Sequence, residues 1–163
     1  MEFEIAAAES REVTDQEISE LLTRVYVADG FADPDEAASL FEPSAVRKRG
    51  ILFAARESQS SKLAGMIILV PPGSPARRLA KENEAEIHLL GVYPEYRGHG
   101  LGRMLVQTAI QRANRDGYSK LVLWTQHSMN AAQSLYESMG FIHIDDMNRN
   151  GRYFKVYAKS LGG

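Results

Sequence analysis

This sequence predicts an α/β fold, on three observations. Short runs rich in Ile, Leu, Val and Phe alternate with stretches whose apolar residues recur at helical spacing. One such run, ending at Tyr93, passes through a glycine-studded turn straight into an amphipathic segment. Two others, Ile51–Arg56 and Leu63–Val70, flank the polar stretch Ser58-Gln59-Ser60-Ser61-Lys62 and read as a hairpin.

The first strand falls near Phe3–Ala8. A helix near Asp15–Ala28 follows, because Ile18, Leu21, Leu22, Val25 and Tyr26 line one side of it and Thr14 is placed to cap it. Gly30-Phe31-Ala32-Asp33-Pro34 is a loop, and Pro34 opens a second helix reaching about Phe41. After the hairpin, Pro71-Pro72-Gly73-Ser74-Pro75 cannot continue a strand ladder, so an excursion of mixed charge runs to about Asn83. Strand Ala85–Tyr93 then leads to the turn. In the next helix Leu101, Met104, Leu105, Ala109 and Ala113 share one face, Arg103, Gln107, Gln111 and Arg115 the other, and Gly117 ends it. Strand Lys120–Thr125, a short helix, strand Phe141–Asp145 and strand Arg152–Lys159 complete the order β-α-α-β-β-β-α-β-α-β-β.

The length suits one domain, residues 1–163, with a substantial core. The absence of cysteine excludes a disulfide framework, a thiolate zinc site and a cysteine nucleophile. A formal net charge of −2 argues against a nucleic-acid partner. No apolar stretch is long enough to span a bilayer, and the acidic start Met1-Glu2-Phe3-Glu4 is unlike a signal peptide, so a cytoplasmic protein without a membrane partner is expected. His127 and His143 have no ligand-spaced partners, so no metal is expected.

The turn Arg97-Gly98-His99-Gly100-Leu101-Gly102 carries the chemistry. Glycines at alternate positions let the backbone present several N–H groups on one side, beside the positive end of the following helix, which makes a cradle for a pyrophosphate. It lacks the Gly-Lys-Ser/Thr ending of a nucleotide P-loop, and its glycines alternate too tightly for a dinucleotide fingerprint. On the turn alone, a tight connection with no ligand stays open. The turn resembles the Gln/Arg-x-x-Gly-x-Gly/Ala signature of the GNAT acetyltransferase superfamily. A second segment, Ala132-Gln133-Ser134-Leu135-Tyr136-Glu137-Ser138-Met139-Gly140-Phe141, resembles that family's later A-x-x-L-Y-E-x-x-G-F block.

The resemblance spans nearly the whole chain and implies a mixed, mostly antiparallel sheet with helices on both faces and a V-shaped split between the central strands. It implies acetyl-CoA as co-substrate and no metal. The pyrophosphate would lie on Arg97, Gly98, His99, Gly100, Leu101, Gly102 and Arg103, and the pantetheine arm along the backbone of Leu90 and Val92, where Gly91 is compatible with a bulge. The family often has an asparagine seven residues before the tyrosine of the second block. Met129 stands there instead, so Asn130 replaces that contact only if its helix begins irregularly.

An amine must be neutral to attack a thioester, so a base is needed. Glu86, at the offset from Arg97 that some members use for a catalytic glutamate, could be made more basic by apolar neighbours, and His88 shares its face and titrates near neutral pH. Tyr136 matches the tyrosine that meets the departing CoA thiolate in many members. The function implied is an acyl-CoA-dependent N-acetyltransferase with direct attack in a ternary complex. The alternative is a non-catalytic acyl-CoA-binding sensor or docking domain on the same fold. The acceptor is a small-molecule amine or a protein or peptide amine. Tyr26, Phe31, Tyr153 and Phe154 are candidate walls for it, and Asp33, Asp35 and Glu36 form an acidic cluster that would attract a cation. The exposed edges of such a sheet are compatible with a homodimer.

Overall fold

A computed structural model describes residues 1–28 and 30–162. β1 (Phe3–Ala7), β2 (Ile51–Glu57), β3 (Leu63–Val70) and β4 (Glu84–Val92) pair antiparallel in that order. β4 then runs parallel to β5 (Lys120–Gln126), which pairs antiparallel with β7 (Arg152–Ser160), and β7 with β6 (Ile142–Arg149). The sheet order is thus β1-β2-β3-β4-β5-β7-β6, mostly antiparallel as expected.

Strand pleating divides the core into two layers. In β2, Leu52 and Ala54 face α1 (Asp15–Leu22), α2 (Pro34–Leu40) and α3 (Pro43–Lys48), while Phe53 and Ala55 face α4 (Leu101–Arg115) and α5 (Asn130–Ser138). Every residue of β3 is buried, as a strand covered on both faces must be. On α4, Val106 and Ile110 join Leu101, Leu105, Ala109 and Ala113 in the core, whereas Met104 is 39% exposed at the edge of the buried face.

Several details depart from the expectation. The first helix changes at Thr23 into a π-helical segment, Thr23–Val27. Helix α3 was not expected: six residues are too few to show a period, and only Pro43 at its start marks it, where the Glu42 carboxylate accepts the Ser44 and Ala45 N–H groups. β6 runs on to Arg149 rather than stopping at Asp145, because Asn150 and Gly151, both at positive φ, close a tight hairpin with β7. Among the described residues, no helix is long and apolar enough to cross a membrane.

Helix α1 is fastened at its first turn. Thr14 and Glu17 form a reciprocal capping box, and Glu17 also takes two hydrogen bonds, at 2.7 and 2.8 Å, from the Arg56 guanidinium on β2. The Arg56 bonds, helped by the capping contacts, outweigh burial and hold the Glu17 carboxyl at about 2 against an ordinary 4.5. Because the folded value is depressed, its contribution is present above about pH 4.5 and is lost as pH falls toward 2; a shift of this size corresponds to at most about 3 kcal/mol. Glu17→Gln preserves the capping box and removes the charge. Urea denaturation should show the variant less stable than wild type at pH 7, with the gap closing as pH falls from about 5 to about 2. A gap independent of pH would mean that the carboxylate charge is not what fastens the helix.

Candidate functional site

The central pairing between β4 and β5 covers only Glu84↔Lys120, Ala85↔Leu121 and Glu86↔Val122. Beyond Glu86 each strand keeps its outer partner, β4 to Val92 against β3 and β5 to Gln126 against β7, so the sheet opens in a V. A β-bulge lies in the open arm. Leu89 and Leu90 stand opposite the single residue between Met66 and Ile68, and Leu89 takes φ +54°. The bulge is therefore at Leu89–Leu90 and not at Gly91, which sits in regular register with Met66. The Leu90 carbonyl accepts the Tyr26 hydroxyl at 2.8 Å, and the Val92 carbonyl accepts Arg97 Nε at 3.2 Å.

A short 3-10 turn, Pro94–Tyr96, leads from β4 into the glycine turn. Gly98 and Gly100 both have positive φ, +85° and +76°, and Gly100 is the N-cap of α4 without any side-chain cap. This geometry leaves the N–H groups of Gly98, His99, Gly100, Leu101, Gly102 and Arg103 without an acceptor among the described residues. They lie together at the positive end of a fifteen-residue helix. Gly102 faces Leu135 of α5, Arg103 donates to Ser138 Oγ at 2.7 Å, and the His99 ring packs beside Phe3. Helix α5 does begin irregularly, with Met129 as N-cap at ψ 63°, and Asn130 is its exposed first residue.

Glu86 and His88 stand in contact, but not as the sequence suggested. Glu86 is fully buried; its Oε2 accepts the N–H groups of Arg78, Leu79 and Ala80 at 2.8, 2.5 and 2.6 Å, and its Oε1 meets His88 Nε2 at 2.8 Å. Burial pushes this carboxyl up, yet the hydrogen bonds from His88, Ala80 and Leu79 more than reverse it, and the net shift is downward. The expectation of a more basic Glu86 is thereby overturned: donors fill the carboxylate that apolar neighbours were expected to isolate. A carboxylate only accepts, so His88 Nε2 carries the proton and Nδ1 the lone pair, which meets an Arg49 N–H at 3.2 Å. Burial lowers the His88 pKa, the bond to Glu86 opposes that, and the Arg49 charge adds to it; the net shift leaves the ring neutral at neutral pH.

Tyr136 is 5% exposed on α5, with its ring edge-on to Phe141. Burial, reinforced by nearby Tyr26, raises its pKa, so the phenol stays protonated. Its hydroxyl has no hydrogen-bond partner among the described residues, and no buried side-chain polar atom there lacks one, so the oxygen faces open space.

A cavity of about 600 Å³ lies between the first two helices, the open arm of β4, the end of β5 and the β6–β7 hairpin. Tyr26, Phe31 and Phe154 line it as expected, with Phe41 and Trp124, and the Phe31 carbonyl is tied down by Gln126 and Arg152. Tyr153 is not among its walls and is 63% exposed beside His127. The acidic cluster does not face it as a group: Asp33 caps α2, and Glu36 is bound by Arg152 at 3.1 Å. The walls instead carry Arg49, Arg78, Arg149 and Arg152, none of which shows a sequence period or motif.

A model of the acetyltransferase (GNAT) family matches residues 16–141. The chain is 33% identical over 109 residues to N-acetyltransferase family 8 member 3 of Rattus norvegicus, covering 67% of this chain and 43% of that protein. The match therefore spans less than half the length of that relative. In three dimensions the chain resembles the ribosomal-protein-S18-alanine N-acetyltransferase of Escherichia coli, with TM-score 0.74 and 21% identity over 99% of this chain and 96% of that one. It also resembles a Bacillus subtilis acetyltransferase solved in complex with CoA, with TM-score 0.70 and 22% identity over 98% and 99% of the two chains.

Proposed function

Because the chain belongs to the GNAT acetyltransferase family, we propose that it moves an acetyl group from acetyl-CoA to an amine by direct attack in a ternary complex. One observation carries this reading: six backbone N–H groups at the start of α4, unpartnered among the described residues, follow directly on the open arm of a split sheet that borders a cavity. The N–H groups suit a pyrophosphate. The unpaired edge of β4 suits the amide-bearing pantetheine arm, which can hydrogen-bond there as an added strand. The cavity beyond it suits the acceptor.

In this reading the neutral amine attacks the thioester carbonyl, the tetrahedral intermediate collapses, and the sulfur leaves as a thiolate. Tyr136, protonated and with a free hydroxyl, donates to that sulfur. His88 takes the proton of the amine at Nδ1, directly or through a water, as Arg49 yields that contact; Glu86 on the opposite nitrogen fixes the tautomer and steadies the imidazolium. Glu86 is thus a positioning residue. No covalent enzyme intermediate is needed.

Incubation of the protein with acetyl-CoA and a broad panel of amines, following free thiol, tests this. Acceptor-dependent thiol release is expected. Tight acetyl-CoA binding with no turnover across the panel would favour the sensor or docking domain instead.

A further inference from the structure

We infer that the acceptor carries a carboxylate near its reacting amine and that Arg49 binds this carboxylate. The inference rests on the acetyltransferase reading and adds the substrate class. Of the four guanidiniums lining the cavity, Arg152 alone has a carboxylate partner among the described residues, Glu36. Arg49, Arg78 and Arg149 have none within ion-pair distance among the described residues, so the cavity holds a surplus of positive charge.

Arg49 is distinguished from the other two by how it is held. It is half-buried, its NH1 lies 3.2 Å from His88 Nδ1, and its NH2 donates to the Leu40 carbonyl at 3.1 Å. Those contacts use two of the five guanidinium N–H groups and leave one on each nitrogen. His88 is itself fixed by Glu86, and Glu86 by three backbone amides, so the fork is preorganised through a chain of named contacts. A half-buried guanidinium opposed by neutral acceptors among the described residues loses part of its hydration without a compensating charge, and burial does act against it. An incoming carboxylate removes that cost and matches the planar fork in a way a cation or neutral group cannot. Because Arg49 touches His88, a carboxylate on Arg49 brings an amine one or two bonds away to the proton-accepting nitrogen. It would also draw the guanidinium off Nδ1, freeing the lone pair when substrate is present.

The test compares α-amino acids with their carboxamides and with the corresponding decarboxylated amines, at fixed acetyl-CoA. In the wild type, kcat/KM should favour the acid forms by about 10- to 100-fold, the range for hydrogen bonds to a charged group, with most of the difference in KM. Arg49→Gln should bring that ratio towards one, and Arg49→Lys, which keeps the charge without the fork, should give an intermediate ratio. Calorimetric titration of each folded variant with acetyl-CoA should give wild-type affinity. Equal use of acids and amides by the wild type, or a ratio unchanged in both variants, would overturn the inference while leaving the acetyltransferase intact. If no amine turns over, calorimetry of amino acids against the CoA-loaded protein decides the point. Binding that needs both the carboxylate and Arg49 supports the inference, and its absence overturns it.

Discussion

Tyr136→Phe should lower kcat on the order of 10- to 1000-fold while leaving acetyl-CoA affinity nearly unchanged. The substitution keeps a ring that packs edge-on to Phe141 and removes a single hydroxyl that bonds to nothing among the described residues. Losing that oxygen should cost the fold little, because no hydrogen bond within the protein is broken. A purely structural tyrosine predicts the reverse, with a lower melting temperature and an unchanged rate for the folded variant. Single-turnover kinetics, with an acceptor whose chemical step is slow, is the measurement that separates them, since slow product release would hide the effect. An unchanged single-turnover rate removes Tyr136 from the reaction.

Gly100→Val should weaken acetyl-CoA binding on the order of 10- to 100-fold. Two penalties combine at this position. Gly100 has φ +76°, which a β-branched residue adopts only at a cost of roughly 1–2 kcal/mol, and its absent Cβ points into open space beside the N–H groups that lack an acceptor among the described residues. A valine there would both twist the cradle and obstruct the approach of a pyrophosphate. Gly117, at φ +82° and also with nothing around its missing Cβ, ends α4 at the opposite pole and separates the two effects. Gly117→Val should lose comparable stability and still bind acetyl-CoA as wild type does. Calorimetric titration of both variants is the check; equal, undiminished affinity in folded Gly100→Val would show that the ligand lies elsewhere.

The sheet and its main helices were legible because their residues repeat. Leu52 to Ala55 alternate between two cores, and Ile18, Leu21, Leu22 and Val25 recur on one helix face. Elements without a repeat were not: α3 is under two turns long, and the π segment continues the helix with no change in residue type. At the site, the glycine turn stood out by its alternating glycines, and Tyr136 through the resemblance of its block to the family's. The bulge was misplaced by one or two residues because Gly91 looked permissive while a leucine, Leu89, takes the positive φ. Arg49 was invisible. An arginine closing the basic run Arg47-Lys48-Arg49 looks like a solvated helix end, and its significance lies in neighbours 9 and 39 residues away. The Glu86 environment was hidden for the same reason, since three of its four donors are backbone amides, which leave no mark in a sequence.

Those amides give the excursion between β3 and β4 an unusual mechanical status. A segment that begins Pro71-Pro72-Gly73 would ordinarily open and close independently of the strands it joins. Here the N–H groups of Arg78, Leu79 and Ala80 converge on one carboxylate oxygen, while Leu79 packs on Val122, Val156 and Ala158. The segment is latched to the strand that carries His88, and one buried negative charge is the latch. Its release would at once free the excursion, unlock the imidazole tautomer and loosen the wall that bears Arg78. Opening of this segment and loosening of the proposed site are therefore a single event, and the rigidity of the Glu86–His88 pair is set as much by a stretch of apparent surface chain as by the sheet beneath it.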